Sequence, residues 1–376
     1  MRTNMRIGFS TFVLEGGKSG LSAYICNLLR ALQLEDTQNN YDLLMARDEA
    51  ELVPLTNPRF KKRLSPPFIN RPVVNLAWHN AGLPQTKYDL LHIPSYRRIP
   101  LLKRTKVVAT VHDLAAFSVD AKYDRARMLF NRKFAPAMIR RADHVIAVSE
   151  HTKNDIVRFT GYPEDKITVI YSGIDHDLFH PAPAEEARRT LAELHGLEKP
   201  FFVYVSRLEH PAKNHVRLIE AFERFKLESD SAHQLVLAGA DWSGADLIRA
   251  RAAQSPVNSD IVFLGFVPGD SLPLLYSGCD LMVFPSLFEG FGFPVLEALA
   301  CGAPVACSNT SAMKEIAGGA AQTFNPYSTD EIFACMENSV SKGVNAETRA
   351  HGMEHAFTFD WQTAARRVMG VYESLA

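Results

Sequence analysis

Short apolar runs alternate along the chain with longer stretches in which apolar residues recur three and four positions apart. The short runs predict buried strands and the longer period predicts amphipathic helices. In the first half strands are predicted over 6–10, 41–46, 88–93, 106–111, 144–148 and 167–171. In the second half they are predicted over 201–206, 234–238, 261–264, 281–284, 304–307 and 321–324. Helical segments such as 21–34 and 216–227 lie between them, and 361–375 closes the chain as a further helix. Strands that alternate with helices build parallel sheets covered on both faces. The series breaks once, at 176–184, where Pro181 and Pro183 stiffen the chain before a fresh helix from Glu185. At 376 residues the chain exceeds what one core supports. The expected architecture is therefore α/β, with two doubly wound Rossmann-like domains, 1–180 and 181–357, facing each other across a cleft.

Composition changes this picture little. A 47% hydrophobic and 22% charged chain is an ordinary globular one, and no apolar run approaches the ~18 residues of a membrane span. The N-terminus lacks a signal-peptide pattern, which points to a cytoplasmic protein. Cys26, Cys279, Cys301, Cys307 and Cys335 form no C-x-x-C pair and sit in apolar contexts. They are expected as buried thiols, not as a zinc site or a disulfide framework.

Charge is more informative than its total of −1. Residues 1–180 carry 26 Lys and Arg against 18 Asp and Glu, and the remainder carries 15 against 24. Clusters at Lys61-Lys62-Arg63, Arg97-Arg98, Lys103-Arg104 and Arg140-Arg141 suit an anionic surface, such as the inner face of a membrane met peripherally. A merely solvated face is the competing reading. No nucleic-acid partner is expected.

Open α/β sheets bind ligands beyond the carboxyl ends of their strands, so the chemistry is sought in the loops there. After 201–206 come Arg207 and, six residues on, Lys213 beside Asn214, a residue suited to cap a helix. Two cations next to helix N-terminal amides make a diphosphate site. After 281–284 the chain reads Glu289-Gly290-Phe291-Gly292-Phe293-Pro294-Val295-Leu296-Glu297. The glycines allow close backbone approach, and Pro294 suits the first position of a helix. The two glutamates then flank one glycine turn, each able to accept two hydrogen bonds from sugar or ribose hydroxyls. In the first half, Gly16-Gly17-Lys18-Ser19-Gly20 opens a helix but fits neither a dinucleotide fingerprint nor a P-loop. His112-Asp113 follows the strand at 106–111.

These residues carry a resemblance. The stretch 264–321 resembles the donor-binding half of the retaining GT-B-fold glycosyltransferases of family 4 (glycosyl transferases group 1). Glu289 and Glu297 match that family's Glu-x7-Glu motif, and Arg207 with Lys213 match its paired basic residues. The resemblance implies that Glu297 binds ribose, Glu289 the transferred sugar, and main chain near Phe266-Val267 the base. It further implies amide contacts from Gly290, Phe291, Gly292, Phe293 and Leu296. His112 would lie beside the transferred sugar, with Asp113 at most orienting it. Gly16, Gly17 or Gly20 would approach the donor phosphates, the equivalent glycine being left open. The last helix, 358–376, would cross back to the first domain.

The implied reaction moves a hexose, mannose or glucose, with retention of configuration from a nucleotide diphosphate sugar to a glycan or lipid-linked acceptor of bacterial surface polysaccharide or glycolipid synthesis. Arg207 and Lys213 would take the role of a divalent cation on the leaving diphosphate, so neither metal nor cofactor is expected. A sugar-nucleotide 2-epimerase and a non-catalytic nucleotide-sugar-binding partner are the rival readings. Two other matches are set aside. Asp175-His176-Asp177 reads as D-x-D but lies in the linker, and His351-Gly352-Met353-Glu354-His355 fits H-x-x-E-H without a further ligand.

Overall fold

The computed structural model describes residues 4–17, 19–65, 85–119, 125–343 and 346–376. It divides into two compact units, the first built from residues up to Phe117, Tyr123–Gly173 and Phe359–Ala376, the second mainly from Ile174–Thr358.

The first unit holds β1 (Arg6–Ser10), β2 (Asn40–Met45), β3 (Phe60–Leu64), β4 (Leu90–Ile93), β5 (Lys106–Val111), β6 (His144–Ala147) and β7 (Ile167–Val169). They form one parallel sheet in the order β3-β2-β1-β4-β5-β6-β7. The chain steps outward from β1 to β3 and resumes on the other side of β1 with β4, which makes β1/β4 the topological switch point. Val107, Val108, Ala109, Thr110 and Val111 of β5 are all fully buried, as both faces of a covered parallel sheet require. The helix Gly20–Glu35 follows β1. Ser19 caps it by accepting from the Ser22 N–H, and Ile25, Leu28, Leu29 and Leu32 form its buried stripe. The helix Trp361–Ser374, capped by Asp360, packs on that helix and buries Ala365, Val368 and Tyr372.

Strand β3 has no counterpart among the predicted strands, because Lys61-Lys62-Arg63 interrupts the apolar pattern. Its place explains the composition. Among the described residues it is an edge strand paired only with β2, and charge is the usual protection of such an edge. Arg63 and Arg6 both ion-pair with buried Asp42, at 3.0 and 2.6 Å. Several other predicted cations are also engaged at home: Lys103 with Asp143 at 2.7 Å, Arg140 with the Thr160 carbonyl, and Arg141 with the Pro100 carbonyl.

The second unit repeats the plan with β8 (Phe201–Val205), β9 (Gln234–Ala238), β10 (Ile261–Gly265), β11 (Leu281–Phe284), β12 (Val305–Ser308) and β13 (Gln322–Phe324). The order is β10-β9-β8-β11-β12-β13, all parallel, with the switch at β8/β11. The helix Ala184–His195 follows the two prolines. Cys279, Cys301, Cys307 and Cys335 are buried free thiols, whereas Cys26 is only half-buried. Among the described residues, no helix is long and apolar enough to cross a membrane.

Candidate active site

Of four sequence-predicted side chains of the second unit, Arg207, Lys213 and Glu289 stand on the loops after β8 and β11, the two strands of its switch point, and Glu297 on the helix that follows β11. Lys213 and Glu289, 76 residues apart, form an ion pair of 2.5 Å, each side chain 17% exposed. The loop between β8 and the helix His215–Glu228 is tied to the loop after β11 and back to β8. The Leu287 N–H donates to the Ala212 carbonyl at 2.9 Å, and the Tyr204 hydroxyl donates to the Lys213 carbonyl at 2.9 Å. Asn214 precedes the helix but does not cap it. Its backbone is left-handed (φ 59°), and its side-chain amide instead donates to the carbonyls of Pro285 and Pro326 at 3.0 and 2.7 Å. The cap expected from sequence is thus a staple between loops.

Arg207 has different partners. Its Nε donates to Glu209 at 2.9 Å, and its guanidinium lies 4.9 Å from the centroid of the Trp242 ring. Neither Glu209 nor Trp242 was predicted. His215, the first helical residue after Asn214, was missed too. Its ring is buried with neither nitrogen hydrogen-bonded among the described residues. Burial, reinforced by Lys213, pushes its pKa down to about 3, so the ring is neutral.

In the glycine turn, the Glu289 N–H donates to the Ser311 hydroxyl at 2.9 Å. Gly292 adopts φ 103°, a conformation that residues with a Cβ rarely take, and a Cβ there would also displace the end of the Met313 side chain, so glycine is strongly favoured. Phe291 is buried and its ring meets that of Phe293 at 5.1 Å. The helix runs Phe293–Ala300, which makes Pro294 its second residue, one later than expected. The Val295 N–H turns back to the Gly292 carbonyl at 3.1 Å, and Leu296 is a core side chain that offers only main chain. Glu297 accepts from the Tyr276 hydroxyl at 2.9 Å. Burial pushes its pKa up to about 7, the Tyr276 hydrogen bond opposing, so it titrates near neutrality. The structure therefore joins Glu289 to the cationic loop and turns Glu297 towards Tyr276. At the end of β10, Gly265 has φ 69°, Phe266 is 54% exposed and Val267 is buried.

In the first unit, His112 Nε2 lies 3.1 Å from the Pro94 carbonyl, to which it can only donate. Nδ1 is then left as an acceptor. The ring stands edge-on to Tyr24 at 4.6 Å. Burial lowers its pKa to about 4, Asp113 opposing, so the imidazole is neutral. Asp113 itself accepts from the Ala115 N–H at 3.0 Å, and the hydrogen bond that orients His112 is to Pro94. Beneath lies a buried polar chain that the sequence pattern hid. Tyr372 Oη lies 2.6 Å from His92 Nδ1, His92 Nε2 lies 2.9 Å from Thr110 Oγ1, and Thr110 Oγ1 lies 3.3 Å from Tyr24 Oη. Gly16 and Gly17 are left-handed, at φ 68° and 83°, and the Gly16 N–H donates to a Glu49 carboxylate oxygen at 3.1 Å. Gly20 is the first residue of its helix. Lys18 and 66–84 lie outside the described residues.

The matches set aside have structural uses. His176 stacks on Phe357 at 4.6 Å, and His355 Nε2 donates to the Ile316 carbonyl at 2.7 Å. A Cβ on Gly352 would lie 3.0 Å from Leu299 Cδ2, so this glycine serves close helix packing. Among the described residues, no group of three or more His, Cys, Asp or Glu is arranged to hold a metal ion.

Two Rossmann-like units, with Lys213 and Glu289 paired at the second switch point, are the architecture of a GT-B glycosyltransferase. Comparison with known proteins gives the family. The model of Glycosyltransferase Family 4 matches residues 18–178, and that of Glycosyl transferases group 1 matches 189–334. The chain belongs to this family and is a glycosyltransferase. It is 28% identical to the O-antigen chain mannosyltransferase B of Escherichia coli, over 80% of this chain and 77% of that one. It is 29% identical to the serotype-specific mannosyltransferase WbdA of E. coli over 69% of this chain, but spans only 32% of that longer protein. Among solved structures it resembles a sucrose-phosphate synthase of Thermosynechococcus elongatus, with TM-score 0.80, 19% identity and 99% of both chains covered. It also resembles Anabaena HepE, solved in complex with UDP and glucose, with TM-score 0.78, 20% identity, and 98% of this chain and 100% of that one covered.

Proposed function

We propose that the protein transfers a mannosyl group, with retention of configuration and without a metal, from a nucleotide diphosphate sugar to a glycan or lipid-linked acceptor of surface polysaccharide synthesis. The observation that carries this reading is the Lys213–Glu289 ion pair at the β8/β11 switch point. Before the donor binds, the carboxylate holds the ammonium in place. With the donor bound, a diphosphate takes the cation, and Glu289 turns its second oxygen to the sugar. Lys213 and Arg207 stabilise the charge that grows on the departing diphosphate, the task a divalent ion would otherwise perform. Glu297 accepts from ribose hydroxyls once deprotonated. His112, kept neutral, offers Nδ1 to a sugar hydroxyl.

The mannosyltransferase relatives favour mannose over glucose. They also favour a glycosyltransferase over the epimerase and scaffold readings. A cytoplasmic protein at the inner face of a membrane suits a lipid-linked acceptor. Exposed Lys61 and, elsewhere on the unit, exposed Leu101 and Leu102 support that contact more than the cations already engaged within the first unit.

The test is thermal stabilisation of the purified chain in EDTA by UDP, GDP, ADP, TDP and their sugars, followed by NMR of the product's anomeric centre. One nucleotide family should raise Tm, by about 3 kcal/mol of stabilisation at a hundredfold excess over Kd. No shift with any nucleotide would overturn the donor site. A shift only after magnesium is restored would overturn metal independence, and an inverted product would overturn retention.

A further inference from the structure

Of the two donor-loop cations, Lys213 is paired with a motif carboxylate, whereas Arg207 is steadied by two residues that belong to no motif. The loops after β8 and β9 continue the strand ladder past its end. Ser206 N–H donates to the Ala238 carbonyl and Leu208 N–H to the Ala240 carbonyl, each at 2.9 Å. Trp242 N–H returns to the Leu208 carbonyl at 3.1 Å, and His210 N–H donates to the Ser243 carbonyl at 2.9 Å. Gly244, at φ 78°, lets the loops close, since a Cβ there would lie 2.9 Å from the His210 Cβ. The four hydrogen bonds fix Trp242 in register beside Arg207.

The indole is 58% exposed, a poor use of so large an apolar surface unless a face of it is occupied. Arg207 occupies that face at 4.9 Å. Glu209, only 2% exposed, takes the guanidinium's Nε edge at 2.9 Å. Held by one edge and one face, the planar group keeps its two terminal nitrogens unengaged among the described residues. That pair is the fork that binds phosphate oxygens bidentately, and fixing it beforehand reduces the ordering cost at binding.

We propose that Trp242 is a positioning residue for the donor, its indole face and Glu209 together presenting the Arg207 fork to the diphosphate. This rests on the reading of the second unit as a nucleotide-sugar site.

The experiment compares full-length wild type, Trp242→Ala, Trp242→Phe, Arg207→Ala and the Trp242→Ala/Arg207→Ala double variant. Each is assayed with the nucleotide sugar that the thermal screen selects. Trp242→Ala should lower kcat about five- to tenfold with a smaller change in donor KM, and Trp242→Phe should restore most of the loss. In the Arg207→Ala background, removing the indole should cost nothing more. Wild-type kcat in Trp242→Ala, or a full additional loss in the double variant, would overturn the proposal. A mere folding role is separated by the phenylalanine rescue and by the missing additivity. Wild-type turnover in Arg207→Ala would strike the donor-site reading itself, whatever Trp242 does.

Discussion

Both sheets change direction at the flank of their first strand, β1/β4 in one unit and β8/β11 in the other, yet the side chains beyond their strands are wired differently. In the first unit the histidines of β4 and of the loop after β5 are neutral and hydrogen-bonded. His112 rests on a carbonyl, and His92 lies fully buried between Tyr372 and Thr110. In the second unit the loop groups are charged and paired, Lys213 with Glu289 and Arg207 with Glu209. One topology has thus been given two chemistries. On the proposed reading, neutral groups set shape and direction, while the ions meet the donor's diphosphate and the further charge that grows on it as it departs. The difference yields an ordered set of expectations.

The largest effect should come from Lys213→Ala. Losing one preorganised charge on the leaving group costs ~10²–10³ in turnover, and it also leaves the Glu289 carboxylate, 17% exposed, without its partner. Steady-state kinetics at saturating donor should show the fall in kcat. Turnover within threefold of wild type would remove Lys213 from the reaction and with it the contrast between the units.

A smaller effect, with a definite sign, is expected at Glu297. Its pKa rises from 4.5 to about 7 in the folded protein. The native state therefore holds this proton more tightly than the unfolded chain does. Its contribution to stability is full below about pH 4.5 and is lost as pH rises through about 7. Glu297→Gln should flatten that slope, so the variant gains Tm relative to wild type at pH 8 compared with pH 5. Nucleotide affinity should run the other way in wild type, increasing severalfold between pH 6 and 8 as the carboxylate becomes able to accept both ribose hydroxyls, and it should be lower and pH-independent in the variant. An affinity profile in wild type as flat as in Glu297→Gln would contradict the ribose role.

Much of this was legible in the sequence, and the exceptions have physical causes. Buried parallel strands announce themselves as apolar runs, so twelve of the thirteen strands among the described residues were placed to within a few residues. The missing one, β3, is an edge strand whose Lys61-Lys62-Arg63 serves partly to protect it and partly to neutralise Asp42. Glu289 and Glu297 stood out as candidates because a glycine turn between two glutamates is an uncommon pattern, and the structure sets the first against Lys213 and the second against Tyr276. Glu209, two residues along the same loop as Arg207, gave no sign that its carboxylate would be buried against it. Trp242 was not legible either, since it meets Arg207 only through the pairing of two loops. The staple role of Asn214 was hidden for the same reason, its partners Pro285 and Pro326 being remote in sequence. The His92 chain escaped because a histidine inside an apolar strand gives no sign of what it will touch.

That chain supplies the smallest and most discriminating test of the comparison. Tyr372 stands on the last helix and meets His92 at 2.6 Å, so Tyr372→Phe leaves a fully buried ring nitrogen without its partner. An unsatisfied buried group costs about 1–3 kcal/mol, and Tm should fall by a few degrees while donor turnover stays within twofold. His92 itself adds a pH signature. Burial lowers its pKa from 6.5 to about 3, so below pH 6.5 the unfolded chain takes up a proton that the native state refuses. Stability should accordingly decline as pH falls from about 6.5 towards 3, the reverse of the trend at Glu297. His92→Gln should remove that part of the acid slope, whereas Tyr372→Phe should lower the curve and keep the slope. Were Tyr372→Phe to abolish turnover at unchanged Tm, the neutral chain would be part of the reaction and not of the framework, and the division of labour between the units would have to be redrawn.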